Sequence, residues 1–232
     1  MWDTLRPVRL VVATYNVQSF RAGMERAVEA LGPGRPDLVM LQECGPRRTL
    51  RRFAQALQME VVSSHRPFMG VRNAVLFRAP LRLSSWRLHA LPREGRTLRR
   101  GFAVASLRAP GVPVAAVSAH LGLVPSEREH HARDLTDTLG GVDGPLILGL
   151  DLNEGPDSPA ARWIGERLFD AAIEAAEGSR RTFPARGPAV RIDYLFVNQL
   201  VSVARCWVPA TPAAAEASDH RPVMAEVEIG QP

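Results

Sequence analysis

Hydrophobic positions along the chain fall into two patterns. Short runs dense in Val, Leu, Ile and Ala predict strands over 8–15, 37–41, 59–64, 73–78, 81–89, 101–108, 112–119, 145–150, 191–197, 201–208 and 221–228. Apolar residues at helical spacing predict helices over 21–31, 47–58, 126–139 and 159–176. In 47–58, Leu50, Phe53, Ala54 and Leu57 share one face, which leaves Arg47, Arg48, Arg51 and Arg52 as a solvated surface. Ser126 with Glu129 three residues on has the pattern of a capping box. Segments 91–98 and 177–190, rich in Pro, Gly and Arg, predict loops of the kind that carry specificity. Strands mostly adjacent in sequence, with helices interspersed, predict an α/β fold: a two-sheet sandwich with helices on the outer faces. Residues 1–232 contain no internal repeat or long linker and are expected to form one domain.

The ends of the predicted strands are unusual. The stretch LILGLDLNEGPDSPAA runs from a buried strand straight into Asp151-Leu152-Asn153-Glu154. Turn chemistry would explain that cluster alone. The pattern recurs, however. Asn16 ends one strand, Gln42-Glu43 another and His120 a third; Asp193 sits inside a fourth, and Asp219-His220 precede the last. Each has a bland reading as a cap, a loop start or a satisfied structural residue. A buried carboxylate such as Asp193 is costly unless paired, and one shared site explains all of them together. In α/β sheets, ligands bind at the carboxyl ends of strands.

Composition narrows the setting. At 46% hydrophobic and 23% charged, the chain reads as an ordinary soluble globular protein. No apolar run reaches the roughly 18–20 residues that span a bilayer, and the start of the chain shows no cleavable signal. Cytoplasmic residence without a stable membrane anchor is the expectation. Cys44 and Cys206 have neither zinc nor disulfide spacing and read as small core residues. The formal charge is +5, and all 29 basic residues are Arg. Coding bias accounts for the missing Lys, while the positive charge favours an anionic substrate.

The chemistry of the clusters is coherent. Asn, Asp and Glu offer hard oxygen ligands, which suit Mg²⁺, with Mn²⁺ as a substitute, rather than zinc. A His oriented by an Asp can act as a general base on water. A second His can hydrogen-bond a phosphoryl oxygen as charge develops. These parts suit metal-assisted hydrolysis of a phosphate ester.

The segments TYNV, LQE, GVRNAVLFR, SAHLGL, GLDLNEGPDS, RIDYLFV and SDHRPV, in that order over residues 14–223, resemble the endonuclease/exonuclease/phosphatase superfamily. That resemblance implies the same two-sheet sandwich and a monomer. It implies Glu43 as principal Mg²⁺ ligand, with Asn16 and Asp219 near the metal. It implies Asp151 and Asn153 as the pair orienting water and phosphate, His220 as general base oriented by Asp193, and His120 as the phosphate-contacting His. Asn73 is expected to position the phosphate or His120, and Arg128 either to reach the phosphate or to pair with a Glu on its helix. Three departures stand out: Tyr15 where Trp is common, one residue inserted between Gly149 and Asp151, and no evident carboxylate partner for His120. The last segment apart, HLGLVPSERE resembles short bacterial members of unassigned substrate.

The leading expectation is a metal-dependent phosphodiesterase acting on DNA or RNA by in-line attack of water. Arg93, Arg96, Arg99 and Arg100 form the densest basic loop group, and Arg180, Arg181 and Arg186 the next. Trp86, Phe68 and Phe183 are the sparse candidates for base stacking. Alternatives are a lipid head-group phosphodiesterase, with Phe68 and Met69 as exposed candidates, a small-molecule phosphatase, and a phosphate-binding module without catalysis. The complete set of polar residues disfavours the last.

Overall fold

The computed structural model describes residues 7–63, 70–178 and 180–230. In chain order the elements are β1 (Val8–Asn16), α1 (Met24–Leu31), β2 (Leu38–Gln42), α2 (Arg47–Ala56), β3 (Glu60–Ser63), β4 (Ala74–Phe77), β5 (Arg82–Ala90), β6 (Gly101–Ala109) and β7 (Val112–His120). They continue with α3 (Pro125–Leu139), β8 (Leu146–Asp151), α4 (Pro159–Gly165), β9 (Phe169–Asp170), α5 (Ala171–Ala175), β10 (Ala176–Glu177), β11 (Asp193–Val197), β12 (Val201–Trp207), α6 (Pro212–Glu216) and β13 (Val223–Ile229).

Two mixed sheets form, ordered β10-β12-β13-β1-β2-β4-β3 and β5-β6-β7-β8-β11-β9. They pack face to face as an α/β sandwich. Strand alternation explains the near-continuous apolar runs, because both faces of the central strands are covered. In β1 and β2, Val12, Leu38 and Met40 meet Ala116, Ile147 and Leu195 of the other sheet between the layers. Their neighbours Ala13, Val39 and Leu41 pack outward against Ala27, Leu31, Leu50 and Phe53 of α1 and α2. On the far side, Leu146, Leu148 and Leu150 pack against Leu135, Ala160 and Ile164 of α3 and α4. Full burial of a side chain such as Phe53 stabilises by roughly 1.5–3 kcal/mol.

Several expected elements differ locally. The helix expected over 159–176 is two helices. The side chain of Asp170 accepts from the backbone of Ala172 at 3.0 Å and caps α5, and Arg191 binds the same oxygen at 2.6 Å. Ser126 does not cap α3. Val124 holds that position, Pro125 starts the helix, and the Ser126 hydroxyl donates to Glu94 at 2.8 Å. β5, expected as a strand, forms an exposed edge of its sheet. Both cysteines are buried and free. Among the described residues no helix is long and apolar enough to cross a membrane.

Strand register positions the site. β7 runs parallel to β8 and pairs His120 with Asp151; β11 runs antiparallel to β8 and pairs Asp193 with Asp151. In the other sheet β1 and β2 are parallel, with Asn16 opposite Gln42. The mouths of both sheets open on one end of the sandwich.

Candidate active site

The carboxylate of Asp151 is the hub. It is fully buried, and its Oδ2 accepts from Asn16 Nδ2 at 2.8 Å. The same oxygen lies 3.2 Å from Nε2 of His120 and 3.9 Å from Nε2 of His220. Its Oδ1 accepts from the backbone of Asn153 at 3.2 Å. His220 in turn places Nδ1 2.9 Å from Asp193 Oδ2, and both residues are buried. Asn16 Oδ1 accepts from the Gln18 backbone, while Gln18 Nε2 donates to Asp219 at 2.8 Å. The structure therefore brings Asn16, His120, Asp151, Asn153, Asp193, Asp219 and His220 into one network.

Glu43 joins it from the loop after β2. Its carboxylate is partly exposed and lies 3.8 Å from Arg100, and it lines one pocket with His120 and Asn73. Glu43 and Asn153 both adopt left-handed backbone, at φ 50° and 61°. So do Gln18 and Ser19, and the Ser19 backbone donates to the carbonyl of Glu43 at 2.8 Å. Non-glycine residues held this way cost about 1–3 kcal/mol each and cluster where function demands a fixed side chain.

Asn73 is buried and donates to the carbonyl of Ser118 at 2.9 Å, two residues before His120, so it fixes the end of β7. Arg128 does not pair with a Glu of its own helix. It is buried, bonded to Glu154 and to the carbonyl of Gly122 at 3.2 Å, and braces the loop that carries Asn153. The guanidinium in the site is that of Arg100, whose NH1 lies 3.1 Å from His120 Nδ1. The sequence shows Arg100 only as one of a basic group; its pairing follows because Gly101 stands opposite His120 in the β6–β7 register. Gln18, which ties Asn16 to Asp219, carries no signal in the sequence. Tyr15 is fully buried in the outer core, as a packing residue should be. Phe183 leans on His220, with ring centroids 5.1 Å apart. Trp86 stands half-exposed on β5, and Phe68 and Met69 lie outside the described residues.

The two histidines are tuned apart. Burial, helped by the positive charges of Arg100 and His220, outweighs Asp151 and pushes His120 down to about 3. Burial also opposes charge on His220, but Asp193, Asp151 and Asp219 outweigh it and raise His220 to about 10. Arg100 can only donate, so Nδ1 of His120 accepts and Nε2 carries the proton. His120 is thus a neutral hydrogen-bond donor, and His220 the proton-binding group.

Among the described residues one cluster of His and carboxylate groups is close enough to hold a cation. Asp151, Asp193 and His220 bring ligand atoms within 4.8 Å of one another. Those groups already satisfy one another. Asn16 and Asp219 are linked through Gln18, and Glu43 reaches the pocket from the loop after β2; their oxygens are of the kind a hard divalent ion takes.

Carboxylates and amides at the mouths of paired sheets, with one histidine held ready to exchange a proton, are the apparatus of a phosphoester hydrolase. The comparisons agree. The model of the Endonuclease/Exonuclease/phosphatase family matches residues 13–220, and the chain belongs to that family. Its members are phosphoester hydrolases, generally dependent on a divalent metal, and this chain is a phosphoester hydrolase. Comparison with curated proteins found no match. Among solved structures, an endonuclease/exonuclease/phosphatase from Bacteroides vulgatus superposes with a TM-score of 0.83 at 19% identity, covering 96% of this chain and 99% of that one. A mannosyl-6-phosphatase from Bacteroides thetaiotaomicron gives 0.77 at 18%, covering 94% and 99%. A D. rerio TDP2 complexed with single strand DNA product gives 0.76 at 15%, covering 94% and 98%.

Proposed function

We propose that the chain is an Mg²⁺-dependent phosphodiesterase acting on nucleic acid, with Mn²⁺ able to substitute. The observation that carries the reading is the shared carboxylate of Asp151. It couples the proton-binding His220 to the neutral donor His120 and to Asn16. In this reading water attacks phosphorus in line, a new O–P bond forms, and the bond to the leaving oxygen breaks, that oxygen taking up a proton from solvent water. His220 takes the proton of the water, and Asp193 stabilises the imidazolium that results. His120 and Arg100 donate to the phosphoryl oxygens as charge builds. Asp151 and Asn153 orient water and phosphate. Asn16, Glu43 and Asp219 would hold the ion, which supplies Lewis-acid neutralisation of the phosphoryl charge. Asp193, Asp151 and Asp219 all favour the protonated form of His220, Asp219 least, so the neutral form competent to take the proton grows as pH rises toward 10.

The nucleic-acid choice rests on the basic walls of the pocket and on Phe183 beside His220 as an aromatic surface. The same fold serves the mannosyl-6-phosphatase, so a substrate panel decides. It holds duplex DNA, single-stranded DNA, RNA, sphingomyelin, an inositol phosphate, mannose 6-phosphate and bis-p-nitrophenyl phosphate, with the Glu43→Gln protein as blank. Mg²⁺-dependent cleavage of a nucleic acid, silent in the blank, is the expected result. Cleavage of sphingomyelin or a sugar phosphate alone would overturn the nuclease reading. Equal activity in the blank would overturn the ligand role of Glu43.

A further inference from the structure

The loop between β5 and β6 sorts its charges onto two sides. Its acid faces α3: Glu94 accepts from Ser126 at 2.8 Å and lies 3.1 Å from Nδ1 of His130. Helix α3 grips the loop in return. Buried Glu127 accepts from the Glu94 backbone at 3.2 Å and from the Thr97 hydroxyl at 2.6 Å, and His131 Nε2 donates to the carbonyl of Pro92 at 2.6 Å.

The arginines of the same loop face the other way. Arg93, Arg96, Arg99 and Arg100 line the pocket of about 550 Å³ that contains Glu43 and His120, and Arg21 and Arg72 complete its walls. Among the described residues Glu43 is the only carboxylate lining it. The side chains of Arg21, Arg93, Arg96 and Arg99 have no hydrogen-bond or ion-pair partner among the described residues. The side chain of Arg100 is only 9% exposed, and its Nε is buried without a partner.

Six guanidinium groups around one carboxylate repel one another unless an anion enters. One phosphate engages about two of them in bidentate fashion, and a scissile phosphate near His120 draws on Arg100 first. The remaining arginines have no such partner, and the grip of α3 holds their loop in place before any ligand arrives. We infer that this wall is a subsite for a second phosphate group of the same substrate, so that the protein selects phosphoesters carrying at least two phosphates. The inference rests on the phosphodiesterase reading and narrows it. The next phosphate of a polynucleotide and a multiply phosphorylated small molecule supply the same chemistry.

The test measures binding first. Inorganic pyrophosphate and inorganic phosphate are titrated calorimetrically, without divalent cation, into the unaltered chain and an Arg96→Gln/Arg99→Gln variant. An Arg48→Gln/Arg51→Gln variant on α2 controls for net charge. The unaltered chain and the control should bind pyrophosphate at least roughly tenfold tighter than phosphate, about 1.4 kcal/mol. The loop variant should lose that preference and show a shallower salt dependence. Absence of the preference, its survival in the loop variant, or equal loss in the control would overturn the subsite. Turnover then separates the sources. The p-nitrophenyl ester of thymidine 5′-phosphate, with and without a 3′-phosphate, is compared with an inositol bisphosphate. Preference for pyrophosphate with turnover of the inositol compound alone overturns the nuclease reading and keeps the subsite. Nucleotide turnover indifferent to the 3′-phosphate overturns the subsite and keeps the nuclease reading.

Discussion

The guanidinium of Arg100 lies 3.1 Å from Nδ1 of His120, in the position where an orienting carboxylate would otherwise stand. A cation there forbids a proton on Nδ1 and disfavours an imidazolium. His120 is thereby restricted to donating from Nε2, and the positive charge that meets the phosphoryl group belongs to Arg100. The carboxylate partner that the sequence did not reveal for His120 is Asp151, on the Nε2 side of the ring at 3.2 Å, while Arg100 holds the Nδ1 side.

Replacing Arg100 by Met should lower kcat/KM by about 10²-fold, the size of one lost donor to developing charge. Lysine should restore part of the rate, because it supplies charge without the planar fork. Steady-state kinetics checks the rate. Nitrogen NMR of His120 checks the tautomer, which should become mixed in the Met variant and stay at Nε2 in the unaltered chain.

Asp193→Asn removes the first of the carboxylates that raise His220. The rate should fall by roughly 10²-fold or more, within the range for a positioned proton-transfer group. The limb of the pH–rate profile governed by His220 should move to lower pH. A profile and rate both unchanged would mean that the buried pair does not act in catalysis.

Both histidines contribute to the pH dependence of stability, with opposite signs. His220, raised from 6.5 to about 10, adds stability that is complete below 6.5 and is lost as pH rises toward 10. His120, lowered from 6.5 to about 3, adds stability that is complete above 6.5 and is lost as pH falls toward 3. Their combined contribution peaks near 6.5. Denaturant titrations in EDTA between about pH 4 and 9 should show His120→Asn flattening the acid side and His220→Asn the alkaline side.

Gly149→Ala tests the junction of the sheets. A methyl there would stand 2.6 Å from Cβ of Met40 and 2.8 Å from Cβ of Thr14. Overpacking of this kind costs about 1–3 kcal/mol. The denaturation midpoint should drop accordingly, and an unchanged midpoint would mean that the two sheets part easily at this point.

Much of this was legible along the chain. The apolar runs of β1, β2, β7 and β8 are buried on both faces, so their composition alone marks them as central strands. Polar residues at their ends stand out for the same reason, since Asn16, His120 and Asp151 close segments that are mostly apolar. Charged faces such as Arg47, Arg48, Arg51 and Arg52 followed from helical spacing and are exposed.

Which polar ends would touch was not legible, because local periodicity says nothing of which strands become neighbours. The pairing of Gly101 with His120 brings Arg100 to the site. The approach of α3 to the loop after β8 ties Arg128 to Glu154 rather than to a Glu of its own helix. The contact of Arg191 with Asp170 accompanies a break in what spacing alone reads as one helix. The chain by itself thus determined its long central strands, the apolar face of α2 and the kinds of chemistry at strand ends, while the short elements β9, β10 and α6 were not marked by it. Tertiary structure alone decided the partners, because a hydrogen bond between residues far apart in sequence depends on sheet register, and register is set by the packing of the whole sandwich.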